Sequence, residues 1–280
     1  MAAKEAGKQT GEIHRMHVFT AGSRTKPKLV FMAGSGTVSP MYDFRILYEK
    51  LAESFRIIVV EKFGYGYSDL YEGSCDIDSL VSCQRQALRK AGEEGPYLLL
   101  PHSMAGLEAI RWKQKYPDEI QAIIGLDMAT PFTYAEWRDG DVEKRIRLMK
   151  RMRRLNDLNL LFWYPVNTRG LTGKEIRKLK TLMKRNLMNP CYVNEAMAVK
   201  ANAEAVAQGG SIAGPILMFV SDGSQVSKNW IENARRFAED TGAQTVYLNC
   251  GHFVHHYESE TISRKIMEFA REHGFLTAGS

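Results

Sequence analysis

The sequence predicts an α/β protein: an open, mostly parallel sheet with helices on both faces. Three observations carry this expectation. Short, continuous apolar runs alternate with helical periodicity through the first 130 residues and again from about residue 213, the pattern of strands buried on both faces. Between residues 131 and 212 the alternation lapses, and helical patterns follow one another with no convincing strand. Finally, 280 residues with 44% hydrophobic and 25% charged side chains make an ordinary globular chain, long enough to bury roughly three quarters of its unfolded surface. The organisation expected is one α/β core, residues 1–130 and 213–280, interrupted by a helical insert over 131–212.

Taken in order, Glu12–Phe19 (EIHRMHVF) reads as an edge strand. Little sequence precedes it, so a sheet that needs another strand upstream would lack it here. Leu29–Ala33 (LVFMA), Ile57–Val60 (IIVV), Tyr97–Leu100 (YLLL) and Ala122–Leu126 (AIIGL) are buried strands. Helical stretches Asp43–Ser54, Ile77–Ala91 and Ala105–Tyr116 separate them, and right-handed crossovers make the sheet parallel. Within the insert, Met149, Met152 and Leu155 recur at helical spacing among dense arginines. Leu179, Leu182 and Met183 repeat the pattern, and Asn194–Gln208 is Ala-rich and helical. The alternation then resumes with strand Pro215–Val220, helix Asn229–Asp240, strand Thr245–Leu248 and a closing helix Glu260–His273.

Composition excludes several function classes. No apolar run reaches the ~18 residues of a membrane span, and the N-terminus lacks an apolar signal core, which points to a cytoplasmic protein. Cys75, Cys83, Cys191 and Cys250 are scattered without CxxC or CxxH spacing. They read as reduced thiols, with neither zinc nor a disulfide framework expected. Net charge is +6, but residues 131–212 hold 16 Lys+Arg against 8 Asp+Glu, and the rest of the chain sums to −2. Such asymmetry disfavours a nucleic-acid binder.

The sharpest chemical feature is YLLLPHSMAG (Tyr97–Gly106), running straight into a helical pattern. A serine at a tight strand-to-helix turn is forced towards positive φ, and small neighbours relieve the crowding. Ser103 would stand at the carboxyl edge of the sheet with a helix N-terminus behind it. The plain alternative is a serine capping an ordinary helix. The motif expected of a nucleophile is G-x-S-x-G, and here Pro101 and Ala105 replace both glycines. A nucleophilic serine needs a base, and His252 follows a strand in a loop opened by Gly251, with His255 and His256 as neighbours on that loop. The imidazole needs an orienting carboxylate. Asp127 and Asp222 each follow a parallel strand, where open α/β sheets build their sites. Either aspartate could equally serve a turn. Ala33–Thr37 (AGSGT) is a Gly-rich loop able to turn N–H groups towards the serine. A phosphate loop is disfavoured because neither GxxxxGK[ST] nor GxGxxG is present.

Taken together, the segments resemble the α/β-hydrolase superfamily along nearly the whole chain. LVFMAGSGTVSP resembles its oxyanion strand and loop, and IIVVEKFGYGYSD its D-x-x-G-x-G-x-S segment with Glu61 in place of Asp. YLLLPHSMAG resembles its nucleophile elbow, AIIGLDMATP its strand six, and LNCGHFVHH its histidine loop. The resemblance implies a serine hydrolase of the esterase or lipase kind. Ser103 would be the nucleophile, His252 the base, and backbone N–H groups of Ser35, Gly36 and Met104 the oxyanion hole. After strand seven the family commonly reads G-x-x-D, but here that last position is Ser224. Asp127, at the end of strand six, is therefore preferred as the acid, with Asp222 as the alternative.

An insert after strand six acts in this superfamily as a cap, which matches residues 131–212. Phe162, Trp163 and Tyr164 are candidate substrate-binding residues of an apolar pocket wall. The run Lys144–Leu155 (KRIRLMKRMRRL), with seven basic residues in twelve, could touch anionic membrane or acidic substrates, or be a solvated helix face. The expected substrate is a small apolar acyl compound, with no cofactor and no metal. Amide or peptide cleavage and acyl transfer use the same residues, and a non-catalytic binding protein of this fold is the competing class. The oligomeric state is not legible in the sequence.

Overall fold

A computed structural model describes residues 14–135, 137–161, 163–164 and 166–277. Among the described residues, seven strands form one sheet: β1 (His17–Ala21), β2 (Lys28–Met32), β3 (Arg56–Glu61), β4 (Tyr97–Pro101), β5 (Ile120–Leu126), β6 (Ile216–Val220) and β7 (Gln244–Tyr247). Their order is β1-β3-β2-β4-β5-β6-β7. Only β1 runs antiparallel, paired with β3 from His17 opposite Glu61 to Ala21 opposite Ile57. In the numbering of the family that the sequence resembles, strand six corresponds to β5 and strand seven to β6. The core helices are α1 (Pro40–Asp43), α2 (Arg45–Leu51), α3 (Ile77–Lys90) and α4 (Ala105–Lys115). Those of the insert are α5 (Asp139–Asp157), α6 (Gly173–Asn186) and α7 (Pro190–Gln208), and α8 (Trp230–Thr241), α9 (Val254–Tyr257) and α10 (Ser259–Glu272) follow.

The alternate residues of the central strands explain why both sheet faces are covered. Val30, Met32, Ile58, Val60 and Leu99 pack on one side against Leu88, Leu107 and Phe237 of α3, α4 and α8. Leu29, Phe31, Ile57, Val59 and Leu100 pack on the other against Leu47, Ile262 and Phe269 of α2 and α10. Each of these strand side chains is essentially excluded from solvent, and each such burial stabilises by roughly 1.5–3 kcal/mol.

Three expectations are corrected in detail. The helix expected from Asp43 divides into α1 and α2, because Phe44 leaves helical geometry (φ −86°, ψ 1°) to sink its ring into the core. The edge strand begins at His17: Arg15 N donates to the Asp69 carboxylate (2.7 Å) and Arg15 O accepts from Asp69 N (3.0 Å), which holds the preceding chain out of the sheet. Glu12 and Ile13 lie outside the described residues. Helix α7 starts at Pro190, before its Ala-rich stretch. Proline suits a first helical turn, and the Asn189 side chain caps it by accepting from Cys191 N (2.8 Å).

The insert is joined to the carboxyl edge of the sheet by buried polar contacts. Asn186 Nδ2 donates to Val38 O (2.9 Å) and Gly66 O (2.8 Å), Asn189 Nδ2 to Gly64 O (2.7 Å), and the Tyr192 hydroxyl to Thr37 O (2.7 Å). The Lys62 ammonium sits between Glu108 of α4 (2.7 Å) and Glu195 of α7, and Tyr65 also donates to Glu195. These buried charges are satisfied by one another, as they must be away from water.

Candidate active site

The turn between β4 and α4 holds Ser103 at φ 53°, a left-handed conformation that non-glycine residues rarely adopt. Its surroundings explain how the strain is held. Ala129 N donates to Ser103 O at 2.7 Å. A Cβ on Gly106 would lie 2.1 Å from Ala129 O, and one on Gly34 would lie 2.5 Å from Ser103 Cβ. Glycine at 106 thus lets the chain after β5 pass under the turn, and glycine at 34 lets the loop after β2 pass beside the serine. Pro101 ends β4 without breaking the sheet, since His102 N carries the ladder onward to Met32 O (2.9 Å).

From this turn a hydrogen-bonded line runs through three side chains. Ser103 Oγ lies 2.8 Å from His252 Nε2, and His252 Nδ1 lies 2.6 Å from Asp127 Oδ2. Asp127 is itself at φ 44° and 1% exposed. Its Oδ1 accepts from Ser221 N (2.9 Å) and from Trp230 Nε1 (2.7 Å). With Oδ1 so occupied, Oδ2 is left to the imidazole. A carboxylate accepts, so Nδ1 carries the proton and Nε2 offers its lone pair to the serine hydroxyl. The histidine loop is fixed on either side: His252 N donates to Gln225 Oε1 (3.2 Å), and His252 O accepts from His102 Nε2 (3.2 Å).

Residues 29–259 match the family model described as "alpha/beta hydrolase fold". The chain belongs to the α/β-hydrolase family. It is 31% identical over 273 residues to Uncharacterized protein YbdG of Bacillus subtilis (strain 168), covering 92% of this chain and 83% of that one. Among solved structures it is similar to a thermophilic esterase from Thermogutta terrifontis, with TM-score 0.72, 18% identity, and 95% and 96% of the two chains covered. It is also similar to the enol-lactonase from Burkholderia xenovorans LB400, with TM-score 0.68, 17% identity, and 92% and 97% covered.

Within this α/β-hydrolase fold, the structure brings Ser103, His252 and Asp127 together and leaves Asp222 apart. The Asp222 side chain is exposed and accepts from Ser224 N (2.8 Å), capping its own turn, and these hydrogen bonds lower its carboxyl. His255 and His256 also turn away from the serine: their Nε2 atoms each lie 2.9 Å from one oxygen of Asp43.

A cavity of about 500 Å³ opens over Ser103 and His252, walled by Ser35, Met104, Tyr134, Trp137 and Val199 among others. A second, of about 570 Å³, adjoins it and shares Ser35, Arg145, Gln225 and Phe253. Of the expected oxyanion donors, Ser35 and Met104 line the first cavity with Ser103, whereas Gly36 (φ 83°) lines the second. The expected pocket wall divides. Tyr164 lines the second cavity. Trp163 is 65% exposed and lines neither, because the buried Leu161 takes the inward position of that turn. Phe162 lies outside the described residues.

One further cluster has metal-ligating chemistry: Asp43, His255 and His256 bring their donor atoms within 4.8 Å of one another. Both imidazoles donate to Asp43, and His255 Nδ1, where a ligating histidine would usually donate to a supporting acceptor, makes no hydrogen bond among the described residues. Burial would raise the Asp43 carboxyl, but the two imidazole hydrogen bonds outweigh it and hold the group well below the usual carboxylate range. Burial pushes His255 down to about 4 against the opposing pull of Asp43, and pushes His102 well below its ordinary value.

Sequence reasoning missed Trp230, Gln225 and Tyr134, and read Gly34 only as part of the Gly-rich loop Ala33–Thr37, not as the point of closest approach to Ser103. Trp230 and Gln225 reach the site across long sequence separations and belong to no local pattern.

Proposed function

We propose that this chain is a serine hydrolase of carboxylic esters. The observation that carries the reading is the continuous line Ser103–His252–Asp127, begun by a serine in a left-handed turn over a cavity of suitable size. In this mechanism His252 Nε2 takes the hydroxyl proton as Ser103 Oγ attacks the acyl carbon. Backbone N–H groups of Ser35 and Met104 hold the developing oxyanion, with Gly36 less well placed. His252 then protonates the leaving alcohol; it next takes a proton from the water that attacks the acyl carbon and returns it to Ser103 Oγ as the Oγ–acyl bond breaks and the carboxylic acid leaves. Asp127 keeps the proton on Nδ1 and stabilises the imidazolium. No cofactor is required.

An ester is favoured over an amide by two neighbours named an esterase and an enol-lactonase. The apolar walls Met104, Trp137 and Val199 suit a small apolar acyl group. Residues 131–212 would act as the lid, contributing Arg145 and Val199 to the cavity over Ser103 and Tyr164 to the cavity beside it. The test is covalent labelling with a fluorophosphonate, which captures activated serines. Mass spectrometry should find one adduct, on the peptide containing Ser103, and none in His252→Ala. Labelling elsewhere, or none, would reject the reading.

A further inference from the structure

We propose that the helical insert docks on an anionic phospholipid surface, with the cationic stripe of α5 at the headgroups and the apolar turn after it entering the interface. At about 100° per residue, Lys144, Arg147, Arg151 and Arg154 fall on one face of α5, and all four are exposed. The opposite face is anchored by buried Met149 and Asn156. The stripe continues into Leu158, which is 67% exposed, and the chain then turns at Asn159 (φ 57°) to present Leu160 and Trp163, 51% and 65% exposed. Leu161 between them is buried and joins the turn to the apolar cluster of Leu179, Leu182 and Met183 with Val38 and Tyr42. Three large apolar side chains are thus held in water within six residues, at one end of a mainly cationic stripe.

The charges are not used up locally. Arg147 approaches Glu143 at 3.4 Å with both side chains about two-thirds exposed, a contact of little strength. Lys144, Lys150, Arg151 and Arg154 make no ion pair among the described residues. Lys178, Lys180 and Lys184 of α6 add further exposed cations. A solvated helix face would account for the cations but not for exposed Leu158, Leu160 and Trp163 beside them. Cations placed for phosphate headgroups next to leucine and tryptophan placed for the acyl boundary match the two layers of a bilayer interface. Charge complementarity selects an anionic membrane over a neutral one. No described helix is long and apolar enough to cross a membrane, and the contact is a surface one. This inference does not depend on the ester chemistry above.

The full chain should be sedimented with vesicles of phosphatidylcholine alone and of phosphatidylcholine mixed with phosphatidylserine. Binding should be at least about tenfold tighter to the mixed vesicles and weaken as salt screens the charges. Tryptophan emission should shift to the blue on binding. The chain has four tryptophans, so the shift is assigned by its loss in Trp163→Phe. Lys144→Glu with Arg151→Glu should remove binding. Leu158→Ser with Leu160→Ser should weaken it several-fold without lowering Tm or the turnover of a soluble ester. Equal partitioning onto both vesicles, no binding to either, or binding indifferent to the leucine and tryptophan changes would overturn the proposal. Self-association lost in the same leucine variant, without vesicle binding, would assign this face to a second copy of the chain.

Discussion

Trp230 Nε1 donates to Asp127 Oδ1 at 2.7 Å, while the other oxygen of the same carboxylate meets His252 at 2.6 Å. An indole from α8 thereby fixes which way the acid faces, in a pocket that excludes water. Trp230→Phe keeps an aromatic ring at this buried position but removes the donor and part of the indole's bulk. The expected result is a kcat lowered about tenfold with KM little changed, and stability reduced by about 1–3 kcal/mol for the buried acceptor left short of a partner. Steady-state kinetics and thermal melts check both.

The acid itself should be far more sensitive. Asp127→Asn would favour the wrong imidazole tautomer and remove the charge that stabilises the imidazolium. In the worked serine-protease case the matching change lowers kcat by about 10⁴. A loss of that order is expected here, with Asp222→Asn nearly silent, since Asp222 caps an exposed turn. Parallel kinetics of the two variants on one chromogenic ester check the ranking.

Gly34 lies so close to the serine that a methyl group at Cβ would overlap Ser103 Cβ at 2.5 Å. Gly34→Ala should therefore move the loop that carries Ser35 or displace the nucleophile. A kcat reduced by about 10²-fold is expected, on the scale of losing one oxyanion donor, with the circular dichroism spectrum intact.

The buried histidines give a pH dependence of stability. His255 and His102 are neutral when folded, with values pushed below the ordinary 6.5, and gain a proton on unfolding. Where the unfolded state binds more protons, stability falls as pH falls. Their contribution is fully present above about pH 6.5 and is lost progressively as pH falls, for His255 towards about 4. Asp43, also lowered, adds to the loss below about 3.8. For His255 the loss is on the order of 3 kcal/mol. His255→Gln retains a donor for Asp43 without titrating. Its Tm should fall less between pH 7 and pH 4.5 than that of the unaltered chain, which scanning calorimetry measures.

Much of this architecture was legible because strands buried on both faces write themselves as uninterrupted apolar runs. LVFMA, IIVV and YLLL needed no tertiary information. The residues of the proposed site were legible for a related reason: Ser103, Asp127 and His252 all sit just beyond strand ends, where a parallel sheet gathers its loops. What stayed hidden depends on three-dimensional neighbours. FWY reads as a pocket wall in sequence, yet its Trp163 faces solvent because Leu161 fills the inward position. The choice between Asp127 and Asp222 turned on position alone, and nothing local marks Trp230 as the donor that orients one of them. Phe44 breaks an otherwise continuous helical pattern only because the core has a place for its ring.

The central claim is that Ser103 is the nucleophile, and turnover of a short-chain chromogenic ester by Ser103→Ala tests it most directly. Alanine keeps the φ 53° turn as strained as serine does and removes only the hydroxyl, so Tm should be nearly unchanged. The account predicts kcat/KM reduced by more than about 10³-fold. Retention of more than about a few per cent of the activity in a variant with unaltered Tm would contradict it.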